Sequence, residues 1–199
     1  MSAEWDLMDP EFTVLVVCTG NVCRSPLAER LLQSGLDESS PGQFSISSAG
    51  THGLSGCGAE PTIDELAARH GVSMSGFTAR GLTPVLINEA HLILTLARDH
   101  RSHIVQLAPA ALKRTFTLRE FARILPQVPA EAAAAPAQRW HSLTALAQRH
   151  RRPPEDPRFD DVVDPYGLSD RVYEEMAAQL VPAVKALVDW ERDHSAKAF

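Results

Sequence analysis

Apolar positions change their spacing repeatedly along this chain, and the changes mark its elements. Val14–Val17 is an unbroken apolar run rich in β-branched residues, the pattern of a strand buried on both faces. Pro26–Leu32 then reads as a helix, with Ser25 as N-cap and Pro26 at the first helical position. Ser39-Ser40-Pro41-Gly42 predicts a turn. Phe44–Ser48 alternates apolar and small polar residues and predicts a second strand. Residues 49–59 are glycine-rich and predict a loop, and Thr62–His70 a helix closed by Gly71. Leu92–Leu94 reads as the core of a third strand. A helix over Asp99–Leu107 follows, stopped before Pro109, and then a short fourth strand at Thr115–Thr117 and a helix over Leu118–Leu125. Residues 126–139, rich in Ala and Pro, read as a surface connection. Trp140, Leu143, Ala147 and His150 then recur at helical spacing. Beyond a loop over Pro153–Asp161, Ser169 reads as the N-cap of a long helix. One face of that helix carries Val172, Met176, Leu180, Val184 and Leu187, and Pro182 is placed to kink it.

Strands alternating with helices predict an α/β fold whose parallel sheet is covered on both faces. Such sheets bind ligands beyond the carboxyl ends of their strands. The first strand ends there in Cys18-Thr19-Gly20-Asn21-Val22-Cys23-Arg24, a tight loop that opens a helix. Backbone amides and the helix dipole make such a loop an anion cradle. Gly20 permits a positive φ in it, and Asn21 tolerates one. A thiolate is the reactive form of cysteine and is favoured at a helix N-terminus beside a guanidinium. Arg24 offers a planar fork for two phosphate oxygens, and Ser25 a hydroxyl for the sulfur. One loop therefore holds a nucleophile, an oxyanion cradle and a clamp, the equipment for attack on a phosphate ester.

The stretch Cys18–Pro26 resembles the signature of the low-molecular-weight protein tyrosine phosphatases. Ser48-Ala49-Gly50-Thr51 and Asp164-Pro165-Tyr166 extend the resemblance. It spans most of Thr13–Trp190, except for an apparent insertion near residues 126–157. It implies a three-layer fold with a four-stranded parallel sheet, and the chain length suits a single domain over residues 12–194, with a disordered extension expected at 1–11 and a tail at 195–199. It also implies phosphate binding by Thr19, Gly20, Asn21, Val22, Cys23, Arg24 and Ser25, with loop support from Asn21, Ser25 and Ser48. Cys18 would be the nucleophile and Asp164 the general acid, and Cys23 would lie within reach of Cys18 for a reversible disulfide under peroxide.

Expelling an alkoxide or phenoxide needs a proton, and a carboxylic acid is the usual donor. Pro165 biases Asp164 away from the α region and stiffens its approach. Asp160 and Asp161 are nearby rivals, better read as loop or capping residues. Val22, Leu54 and Tyr166 are the candidate substrate pocket. Tyr166 could wall an aromatic ring, but Gly167 and Leu54 stand where many relatives carry aromatics. A histidine that supports the loop in many relatives is missing near Gly76 and Phe77. His100 and His103 lack a third ligand in reach and read as surface residues, so no metal or other cofactor is expected.

The resemblance implies a phosphatase of phosphotyrosine proteins. The rivals are a protein arginine phosphatase, since Asp164–Gly167 resembles that branch as much, and a non-catalytic phosphoprotein-binding module. Arsenate reductases share the loop but need a cysteine relay, and Cys57 is the one cysteine beyond the loop. The formal net charge of −6 argues against a nucleic-acid partner. No apolar run approaches a membrane-spanning length. An odd number of cysteines, three in all, makes no disulfide framework and suits a reducing cytoplasm.

Overall fold

The computed structural model describes residues 12–129 and 135–195. Its centre is a parallel sheet of four strands, β1 (Phe12–Cys18), β2 (Phe44–Gly50), β3 (Leu92–Thr95) and β4 (Thr115–Thr117), in the order β2-β1-β3-β4. The helices are α1 (Arg24–Ser39), α2 (Pro61–Arg69), α3 (Pro84–Glu89), α4 (Arg98–Leu107), α5 (Leu118–Ile124), α6 (Pro136–Ala147) and α7 (Asp170–Ser195). The disordered extension expected at residues 1–11 lies outside the described residues, as do most of the expected tail and part of the Ala/Pro-rich connection.

The continuous apolar run of β1 is explained by two cores. Val14, Val16 and Cys18 face a large core with Leu27, Phe121, Met176 and Leu180. Leu15 and Val17 face a smaller one with Ile87, Ile93 and Ile104. Each such side chain contributes about 1.5–3 kcal/mol on full burial. After β1 the chain crosses to β2 on one side and later returns to β3 on the other. Cys18 therefore ends its strand at the topological switch point, where the crevice of an open sheet lies.

Several boundaries move from the sequence reading. α1 starts at Arg24 with Cys23 as its N-cap and no side-chain cap bond, so Ser25 is not the cap and its hydroxyl is left for other work. α7 is the single long helix expected after Ser169, with Pro182 inside it. α3, with Thr83 capping the Leu86 amide and Pro84 in its first turn, is an element that the spacing did not reveal.

α6 begins at Pro136, so Arg139 belongs to a helix rather than to a surface connection. Trp140 is fully buried and packs edge-on against Phe44, at the amino end of the sheet. Beside it lies a buried ion pair. Arg139 Nη2 donates to Glu191 Oε1 at 2.5 Å, Trp140 Nε1 to Glu191 Oε2 at 2.7 Å, and Ser40 Oγ to Oε1 at 2.7 Å. Burial pushes the Glu191 carboxyl up, but the bonds from Arg139, Ser195, Ser40 and Trp140 together hold it below its ordinary value. Its stabilising contribution is therefore complete above the ordinary carboxylate range and is lost as pH falls through the lower folded value. Glu191→Gln removes the carboxylate charge that faces the buried Arg139 guanidinium. It should cost about 3–5 kcal/mol, read as a lower urea midpoint at neutral pH that narrows toward wild type in acid. A shift under about 1 kcal/mol at pH 7 would show that the pair adds nothing net.

Candidate active site

The loop between β1 and α1 is held from outside. The amides of Thr51, His52 and Leu54 donate to the carbonyls of Cys18, Thr19 and Gly20 at 2.9, 2.9 and 3.0 Å, and Glu60 N to Val22 O at 2.9 Å. These bonds turn the carbonyls toward the 50–60 segment and leave the amide edge to the cavity. Gly50 is the tight point: a Cβ there would lie 2.4 Å from Thr19 O and 3.0 Å from Asn21 N, closer than packed atoms approach. The positive φ of the loop falls on Asn21, at 58°, and not on Gly20. Asn21 tolerates that conformation and its amide is used on both ends.

Asn21 Nδ2 donates to Ser25 Oγ at 2.9 Å and to Ser48 Oγ at 2.8 Å, while Asn21 Oδ1 accepts from Arg80 N at 2.9 Å. Ser48 Oγ donates onward to Glu29 Oε2 at 2.5 Å, and Arg80 Nε donates to Ser48 O at 2.8 Å. Ser25 Oγ thus accepts from Asn21, which directs its own proton at Cys18 Sγ, 3.0 Å away. Asn21 N also points at that sulfur, at 3.3 Å. Ser25 Oγ and Asn21 N thus converge on Cys18 Sγ from two sides.

Arg24, only 4% exposed, closes the other side. Its Nη1 donates to Val162 O at 3.1 Å. Its Nη2 donates to Thr19 Oγ1 at 3.3 Å and to Asp164 Oδ2 at 2.5 Å. Nε is buried without a partner among the described residues. The edge made by Nε and Nη2 can take two oxygens of a phosphate. Asp164 is half exposed and stands at the mouth, where Tyr166 N donates to its Oδ1 at 3.3 Å. Cys18, Thr19, Gly20, Val22, Arg24, Leu54, Asp164 and Tyr166 line one cavity of about 140 Å³.

The rivals of Asp164 are tied elsewhere. Asp161 accepts from Arg98 N at 2.8 Å, capping α4, and from the Arg98 guanidinium. Asp160 accepts from Arg123 Nη2 at 2.9 Å. Cys23 and Cys18 are both free thiols. Burial pushes the Cys23 thiol up to about 12, and Tyr173 is its hydrogen-bond neighbour.

Sequence reasoning missed three supports of the loop: Arg80, Glu29 and His100. His100 is a correction. It is buried on α4, not a surface residue, with Nε2 2.9 Å from Thr19 Oγ1. Burial, then the Arg24 charge, lowers its pKa to about 4, so the ring is neutral near pH 7. The signal that could have found it is its place on one helical face with Ile104, the other buried residue of α4. Among the described residues no group of His, Cys, Asp and Glu could hold a metal ion.

The profile of the low molecular weight phosphotyrosine protein phosphatases matches residues 13–130, more than half of the chain. The chain belongs to this family. It is similar to the low molecular weight protein-tyrosine-phosphatase Etp of Escherichia coli (strain K12), 42% identical over 103 residues. That match covers 52% of this chain and 66% of Etp, just under two thirds of the relative's length. Among solved structures, the low molecular weight protein tyrosine phosphatase from T. tengcongensis superposes with a TM-score of 0.66 at 26% identity, covering 89% of this chain and 98% of that one. The YwlE arginine phosphatase from Geobacillus stearothermophilus has the same fold, with a TM-score of 0.64 at 24% identity over 89% of this chain and 91% of that one. The phosphatase family match ends at residue 130, so α6 and α7, along with Asp164, lie beyond it.

Proposed function

We propose that this protein hydrolyses phosphotyrosine on proteins through a cysteinyl-phosphate intermediate. The observation that carries the reading is the placement of Cys18, Arg24 and Asp164 around one cavity, with Ser25 and Asn21 aimed at the sulfur. The phosphate enters with its oxygens on the loop amides and the Arg24 edge, which draws Arg24 Nη2 from Asp164. Cys18 Sγ attacks phosphorus in line, the P–O bond to the leaving group breaks, and Asp164 gives that oxygen its proton. Water then attacks phosphorus, the Asp164 carboxylate takes a proton from it, and the S–P bond breaks with its electron pair going to Cys18 Sγ, which Ser25 stabilises as it departs. The reading places this chemistry in the cytoplasm. Among the described residues no helix is long and apolar enough to cross a membrane.

Substrate class turns on Val22. Its side chain is buried in the middle of the loop and lines the cavity with Leu54 and Tyr166. Apolar branches suit a flat phenyl ring, whereas the guanidinium of phosphoarginine would leave donors unpaired there. Tyr166 is 54% exposed and Leu54 38% exposed, so the wall is open and the preference modest. Wild type should show a higher kcat/KM on phosphotyrosine than on phosphoarginine peptides, and Val22→Thr should narrow the gap. Wild-type preference for phosphoarginine would replace this reading with an arginine phosphatase. No turnover of para-nitrophenyl phosphate would leave a phosphoprotein-binding module.

A further inference from the structure

A second cavity lies at the other end of the sheet. His91 immediately precedes β3, and Lys113 and Arg114 immediately precede β4, so this is the amino end of the strands. Cys18 is at the carboxyl end of β1, roughly 16 Å away along the strand at about 3.3 Å per residue. The cavity measures about 410 Å³, larger than the catalytic one, and its far wall is His141, Thr144, Gln148 and Arg149.

Its lining is cationic in an acidic protein. Lys113, Arg114 and Arg149 face it with two imidazoles, and among the described residues no carboxylate does, although the chain carries a net charge of −6. Elsewhere the arginines hold carboxylates: Arg69, Arg98, Arg123, Arg139 and Arg158 each have one within 3 Å. Lys113, Arg114 and Arg149 have none among the described residues. Gln148 Nε2 and Arg114 Nε are donors buried without a partner among the described residues. His91 adds another donor. Thr13 N donates to its Nδ1 at 3.0 Å, so the proton of the neutral ring sits on Nε2. Burial, then the neighbouring charges of His141 and Arg114, disfavours protonation of that ring, which keeps this tautomer. Arg114 Nη2 and Thr144 Oγ1 already donate to the carbonyls of Ile87 and Trp140, which leaves Arg114 Nε, Gln148 Nε2 and the charges of Lys113 and Arg149 for an acceptor.

We propose that this cavity binds a small polyphosphate-type anion, such as the triphosphate of a nucleotide or inorganic polyphosphate. Three cations spread over two walls match several linked phosphates better than one, and a volume of this size suits a small molecule. Concavity disfavours a nucleic-acid backbone. The far wall comes from α6 and the residues after it, beyond the family match at 13–130.

The probe is inorganic tripolyphosphate, titrated calorimetrically into the full chain with saturating benzylphosphonate present to occupy the catalytic loop. ATP in a parallel arm separates a nucleotide from bare polyphosphate. One site per chain is expected. Lys113→Gln/Arg149→Gln, both at exposed positions, should weaken it at least tenfold and leave KM for para-nitrophenyl phosphate unchanged without probe. His91 and His141 ring NMR signals should move, and His52 and His100 signals should not. Absence of binding under benzylphosphonate would overturn the proposal. So would an equal loss in the control Lys185→Gln, or shifts confined to His52 and His100.

Discussion

Cys18→Ser should abolish turnover of para-nitrophenyl phosphate while phosphate binding survives. In the proposed mechanism the loop amides and the Arg24 edge hold the phosphate, and neither contains the sulfur. What is lost is the nucleophile. Ser25 and Asn21 N place two donors on atom Sγ of Cys18, which stabilises a sulfur anion. A serine there is a far weaker nucleophile, because an alcohol gives up its proton far less readily than a thiol. Phosphate binding, followed by calorimetry, should change by less than a few fold, while kcat falls below detection. Residual turnover above a tenth of wild type would sink the covalent mechanism. Arg24→Lys should be nearly as severe, since an ammonium cannot hold Val162 O, Thr19 Oγ1 and two phosphate oxygens at once.

Asp164→Asn should slow hydrolysis of phenyl phosphate by roughly 10²–10⁴-fold, the usual effect of losing a general acid. Para-nitrophenyl phosphate should suffer less, because its leaving group departs without full protonation. The proposal of Asp164 rests on position. It alone of the three nearby aspartates lines the cavity, and its carboxylate already meets the guanidinium that will hold the phosphate. Asp161 is committed to Arg98 and the start of α4, and Asp160 to Arg123. Asp161→Asn should therefore loosen α4 and alter kcat little. If Asp160→Asn or Asp161→Asn damages kcat more than Asp164→Asn does, the assignment is wrong.

The sequence was informative where chemistry and backbone geometry are local. The loop from Cys18 to Ser25 is eight consecutive residues between a strand and a helix, so the proposed nucleophile, cradle and clamp are neighbours in the chain as well as in space. The two-sided burial of β1 showed as an unbroken apolar run, and β4 showed despite its three residues. Ser25 is instructive in the other direction. Position alone suggested an N-cap, but the backbone begins the helix at Arg24 and spends the hydroxyl on the sulfur.

Long-range partnerships were not legible. Nothing in the chain says that Arg80 and Glu29 complete the Asn21–Ser48 network, or that His100, 81 residues from Thr19, touches its hydroxyl. A histidine on a helix reads as exposed until a neighbouring element covers it. Likewise Asp160, Asp161 and Asp164 are equivalent carboxylates in sequence. Only packing decides which two meet arginines of α4 and α5 and which one turns to the mouth. The Arg139–Glu191 pair and the cationic cavity at the amino end of the sheet have the same origin. Sequence determines which groups are available and their local backbone preferences. Tertiary structure decides which of them are desolvated together, and desolvation is what turns a charge or a hydroxyl into a strong interaction.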